Sequence, residues 1–129
     1  MKRIFNLVLI FTCLITFGLK ANAMTYQEAY AATSSKPMMV IIFANWADQY
    51  QECLNKFRAM QSSMSEIYNF AELDLASPDT KAFNQKFYVY PNLPYVMLIK
   101  KNGKVFRYIE SDCVLNDSCF SSRAQAFIH

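Results

Sequence analysis

The stretch that most constrains this chain is the apolar run at residues 38–44, MMVIIFA, with the aromatic turn that follows it. The run is far too short to cross a bilayer, which takes about 20 residues in a helix. Uninterrupted and rich in β-formers, it reads as a strand buried on both faces, the kind found at the centre of an α/β sheet. Asn45, Trp46 and Asp48 break the run. From Ala47 onward, apolar residues at Tyr50, Cys53, Leu54, Phe57, Met60 and Met64 recur at spacings of three and four, one buried stripe of a long helix. A strand feeding a helix through a short turn places that turn at the strand's carboxyl end, where open α/β sheets carry their chemistry.

Ahead of this centre lie Lys2 and Arg3, an apolar stretch over residues 4–19, and Ala21-Asn22-Ala23. These match the basic, apolar and A-x-A parts of a secretory signal peptide. Residues 1–23 are therefore expected to be removed on export to the periplasm or beyond, leaving residues 24–129 as one small domain. Left uncleaved, the segment would be a membrane anchor, and no other membrane contact is expected. Lys2, Arg3 and Lys20 account for the whole formal charge of +3, so residues 24–129 are formally neutral. Such a balance offers no electrostatic footprint for nucleic acid or anionic lipid.

Two scarcities narrow the chemistry. His129 is the only histidine, which leaves Ser–His, Cys–His and His-rich metal sites without a partner. Gly103 is the only glycine after residue 23, so no glycine-rich loop can cradle a phosphate. No metal, nucleotide or other cofactor is expected.

The remaining elements follow from local signals. Thr25 and Glu28 form a T-x-x-E capping box for a first helix, which Pro37 stops because it disfavours helical geometry at Lys36. Residues 70–75 alternate as a strand, and Ser77-Pro78 open another helix in the favoured cap and first-turn order. An aromatic loop with two prolines spans residues 88–94. Two β-rich runs, residues 95–100 and 105–110, flank Lys101-Asn102-Gly103-Lys104, where Asn-Gly predicts a hairpin with a type I′ turn. Asp117 or Ser118 is expected to cap a last helix with Phe120, Ala124, Phe127 and Ile128 facing inward.

Strand–Trp46–helix, and Leu93-Pro94 ahead of a hairpin, give a pattern that resembles the thioredoxin-like superfamily over almost all of residues 25–128. The resemblance implies an α/β thioredoxin-like fold, shortened at the N-terminus, with a central mixed sheet flanked by helices. It also implies a cis peptide before Pro94, facing the junction. The family's W-C-x-x-C motif, however, reads Trp46-Ala47-Asp48-Gln49-Tyr50 here, so Ala47 and Tyr50 occupy the two cysteine positions. Ile41 stands where many thioredoxins carry a buried acid. Dithiol exchange needs an exposed thiolate at the helix start and a second thiol to resolve the mixed disulfide. Neither is present at the usual site, so the chain is expected to be redox-inactive there.

Cys53 is the nearest thiol to that site. It reads as a small hydrophobe on the apolar stripe, about two turns into the helix, with a displaced nucleophile as the competing reading. Cys113 and Cys119 are close in sequence and, in an exported protein, are expected to form a disulfide. A redox pair outside the usual site is the rival assignment. Trp46, Tyr50, Tyr88, Tyr90 and Tyr95 could gather around Pro94 and, with Leu93, line a groove for an extended peptide. The expected function is thus a non-catalytic binding or assembly module with a protein or peptide partner at Trp46, Tyr50, Leu93 and Pro94. The alternative is an atypical thiol-disulfide oxidoreductase using Cys53 or the Cys113/Cys119 pair.

Overall fold

The computed structural model describes residues 24–128. The segment read as a signal peptide and His129 lie outside the described residues. The elements run α1 Tyr26–Ala31, a 3-10 turn Ala32–Ser34, β1 Met38–Phe43, α2 Tyr50–Met64, β2 Asn69–Asp74, α3 Asp79–Asn84, β3 Tyr95–Lys100, β4 Val105–Glu110, α4 Ser111–Val114 and α5 Asp117–Phe127. The strands form one mixed sheet in the order β2-β1-β3-β4. β1 pairs parallel with β2 and antiparallel with β3, and β3 pairs antiparallel with β4.

The apolar run splits into two cores because successive strand residues point to opposite faces. Met39 and Ile41 meet Cys53, Leu54 and Phe57 of α2 and Phe120 and Phe127 of α5. Met38, Val40 and Ile42 meet Tyr26 and Ala29 of α1 and Phe83 of α3. An unbroken apolar strand is what a sheet covered on both sides requires. One element escaped the sequence reading at the sheet's outer side: Met24 makes an isolated parallel bridge to Ala71 of β2.

The capping box is present, with Thr25 Oγ1 accepting from the Glu28 N–H at 3.1 Å and Glu28 Oε1 accepting from the Thr25 N–H at 3.0 Å. Lys36 Nζ donates to the Ser65 carbonyl at 3.0 Å and so closes the carboxyl end of α2. Arg58 grips Glu72 through two 2.8 Å bonds, tying α2 to β2. Both side chains are partly solvated, so the pair contributes at most about 1 kcal/mol.

Three local expectations need correction. The cap of α5 is Asn116, whose side chain accepts from the Cys119 N–H, and not Asp117 or Ser118. A short helix, α4, intervenes between the last strand and α5. At the hairpin, the Asn-Gly pair is part of a longer left-handed run: Lys101, Asn102 and Gly103 all have positive φ, at 57°, 58° and 85°. Two overlapping turns result, closed by Gly103 N–H to the Lys100 carbonyl and Lys104 N–H to the Lys101 carbonyl. Contacts from far away in sequence hold them, since Tyr30 Oη donates to the Asn102 carbonyl and the Lys101 N–H donates to the Thr33 carbonyl.

Cys113 and Cys119 form a disulfide. It joins α4, which packs at the end of the β3–β4 pair, to the first turn of α5. Replacing both by serine should cost about 2 kcal/mol from the loss of a small closed ring, with the fold retained. Urea denaturation of the double variant checks this; unchanged stability would show that packing alone holds α5.

Candidate functional site

Between β1 and α2 the chain makes consecutive tight turns, with Ala47 N–H donating to the Ala44 carbonyl and Tyr50 N–H to the Ala47 carbonyl. Gln49 adopts a left-handed conformation, φ 62°, and α2 starts only at Tyr50, with no side-chain cap. The helix thus begins three residues later than the apolar spacing suggested. Ala47, the first of the two lost cysteine positions, stands outside the helix. Tyr50, the second, lays its ring flat on Phe43 with centroids 6.0 Å apart and planes 6° from parallel.

Trp46 is 72% exposed. No aromatic ring among the described residues touches it. Across the strand, the register that pairs Ile42 with Tyr95 brings Phe43 and Pro94 to the same end of the sheet. The Leu93–Pro94 peptide is cis. Pro94 is buried and immediately precedes β3. Leu93 is half-buried and packs against the core on the α1 and α3 side of the sheet. Its N–H donates to the Pro91 carbonyl at 3.0 Å, so a partner strand would have to displace that bond to use it.

The tyrosines do not join Trp46. Tyr88, Tyr90, Tyr95 and Tyr108 pack on one another, Tyr90 and Tyr108 at 4.4 Å. The Tyr95 hydroxyl accepts from the Tyr90 N–H and donates to the Tyr88 carbonyl, fastening the loop onto β3. The expected single aromatic groove is therefore two features, an isolated exposed indole and a tyrosine cluster. Tyr108 was missed in the sequence reading, although it sits in the alternating run of β4 opposite Met97. Burial, reinforced by Tyr90 and Tyr95, pushes its phenol up to about 12.

Cys53 lies in the first turn of α2, closer to the helix start than expected. Its amide makes the first helical bond, to the Gln49 carbonyl. Even so the thiol is held in its protonated form at neutral pH. It is 1% exposed, and burial, with smaller contributions from Glu52 and Asp112, pushes its pKa up to about 11. Desolvation here outweighs the helix dipole, so the thiolate a nucleophile needs is scarce. Cys113 is buried and Cys119 half-buried, and the two are joined in a disulfide. Among the described residues, no three His, Cys, Asp or Glu side chains gather as a metal site. No helix among them is long and apolar enough to cross a membrane.

Comparison with known proteins identifies the architecture. No protein-family profile matches the chain. No curated protein matches its sequence either. Solved structures match with full probability. A thioredoxin from Fasciola hepatica is 16% identical with a TM-score of 0.59, over 78% of this chain and 89% of that one. Spinach chloroplast thioredoxin f is 15% identical with a TM-score of 0.63, over 83% and 92%. The Malassezia sympodialis thioredoxin Mala s 13 is 12% identical with a TM-score of 0.62, over 81% and 88%. The chain has a thioredoxin-like fold, and it reaches that fold without the W-C-x-x-C cysteines.

Proposed function

We propose that this thioredoxin-like domain is a non-catalytic binding or assembly module of the cell envelope. It takes a protein or peptide partner on the face built by Trp46, Tyr50 and Pro94. The observation that carries this reading is the junction itself. One cysteine position is Ala47, outside the helix, and the other is a tyrosine ring packed on Phe43. Meanwhile the largest side chain of the turn, Trp46, is left 72% exposed. A solvated indole at the functional end of the sheet is costly to leave in water and suits a partner's pocket, as tryptophan anchors do in interfaces. Export rests on the N-terminal segment alone, with its basic start, apolar stretch and A-x-A site.

The test joins chemistry and binding. A photo-crosslinking residue placed at position 46 in the native host should capture a defined partner. The same residue at Lys104, exposed in the hairpin at the opposite end of the sheet, should not. With that partner purified, Trp46→Ala should weaken binding by about 2 kcal/mol, some thirtyfold in Kd. Insulin reduction should stay at the background rate. Turnover at a thioredoxin-like rate that disappears on Cys53→Ser or Cys113→Ser would replace this reading with the oxidoreductase.

A further inference from the structure

The loop that leads into Pro94 is also one wall of a second feature. Tyr90, Pro91 and Asn92 face Tyr108, Glu110 and Asp112 across a cleft of about 640 Å³, with Tyr95 at its base. That size lies within the range of small-ligand pockets. The lining is unusual in its charge. Tyr90, Tyr95 and Tyr108 form a mutually tilted triad, with centroids 4.4 to 5.7 Å apart. Glu110 and Asp112 are exposed at its mouth. No lysine or arginine lines the cleft.

The carboxylates are also unclaimed. Ion pairs among the described residues engage Asp117 with Lys56 and Glu72 with Arg58, and neither involves Glu110 or Asp112. Ring faces carry negative charge density and attract cations, most strongly when the site is partly desolvated. Two carboxylates beside three tyrosines therefore select a positive group and repel an anion. A divalent metal ion is a poor fit, because calcium takes six or more oxygen ligands and magnesium a strict octahedron.

We propose that the cleft takes the cationic side chain, arginine or lysine, of a peptide partner, held between the tyrosine rings and the Glu110 and Asp112 carboxylates. The peptide source rests on the binding role proposed above. It follows from continuity: Pro91, in the wall of the cleft, is separated from Pro94 by only Asn92 and Leu93. Three residues of extended chain span about 10 Å. A peptide crossing Pro94 beside Trp46 can therefore place a nearby basic side chain in the cleft.

The experiment is an NMR titration of the purified protein with acetyl-Ala-Arg-Ala-amide, its citrulline counterpart and agmatine. The arginine peptide should shift the Tyr90, Tyr108 and Asp112 resonances and bind about tenfold more tightly than the uncharged citrulline peptide. Glu110→Gln with Asp112→Asn, an exposed and nearly isosteric pair of changes, should remove that preference while leaving the spectrum of the free protein intact. Equal binding of the citrulline peptide, or an unchanged preference in the double variant, would overturn the proposal. Agmatine binding as tightly as the peptide would overturn the peptide source and make the cleft a site for free amines. Trp46→Ala separates the two readings. It should leave the tripeptide's preference for arginine intact, so loss of affinity for the purified partner in that variant alone speaks to the indole face and not to the cleft.

Discussion

Phe57→Ala should destabilise the domain by about 3–5 kcal/mol, the range for truncating a buried phenylalanine. Phe57 is fully buried and sits midway along α2. It meets Phe70 of β2 edge-on, with centroids 5.5 Å apart and planes 74° apart. Its neighbours in that core come from the sheet, α4 and α5, so no single element can move in to fill the space. The cost is therefore transfer of the ring plus the cavity it leaves. Against a typical total of about 5–15 kcal/mol, that is a large share. The melting temperature should fall by more than about 12 °C, since 1 kcal/mol shifts a domain near 100 residues by about 4 °C or more. Cys53, one helical turn away on the same stripe, supplies a second readout. Its alkylation rate should rise in the variant, because local opening exposes a thiol that the intact core hides. A loss below 1 kcal/mol would mean that α2 is not seated on the sheet as described.

The second large effect lies at the far end of the domain from Trp46. Gly103→Ala should cost about 2–3 kcal/mol, combining a left-handed backbone that L side chains disfavour with the loss of a tyrosine hydrogen bond. Gly103 has φ 85°, and a Cβ there would fall 2.5 Å from Tyr30 Oη. That hydroxyl is the one that donates to the Asn102 carbonyl at 2.9 Å, so relieving the clash breaks the bond that docks the hairpin on α1. Tyr30→Phe divides the two contributions. In its background the clash with the hydroxyl and the hydrogen bond are already gone, and Gly103→Ala should cost about 1 kcal/mol less. Equal costs in both backgrounds would assign the whole effect to the backbone. A cost under 0.5 kcal/mol in the native background would show that the turn tolerates a side chain and that its geometry differs from the one described.

Both sites show why parts of this protein were legible in the sequence and others were not. Signals acting within a few residues were readable: the capping box of Thr25 and Glu28, the unbroken run of β1, the apolar stripe of α2, and the pairing of Cys113 with Cys119. Each is decided by chain neighbours or by the period of burial, so the residues alone specify it. The absence of thiols at Ala47 and Tyr50 was likewise plain from the letters.

Tertiary structure alone decided the rest. The start of α2 was misplaced because Asn45, Trp46, Ala47 and Asp48 carry no decisive stop, and the helix begins where Gln49 turns left-handed. The hairpin's third left-handed residue, Lys101, depends on Tyr30 and Thr33, some 70 residues earlier in the chain. The aromatic residues looked like one groove because composition records how many rings there are, not which side of a sheet they occupy. Leu93 packs with the α1-side core, which also holds Tyr95 and Tyr108, whereas Trp46 belongs to neither core. The cleft of Tyr90, Tyr108, Glu110 and Asp112 draws its walls from a loop, an edge strand and the start of α4, brought together through the pairing of β3 with β4. Local energetics set each element of this chain; the register between strands, which no local signal encodes, set the faces it offers to a partner.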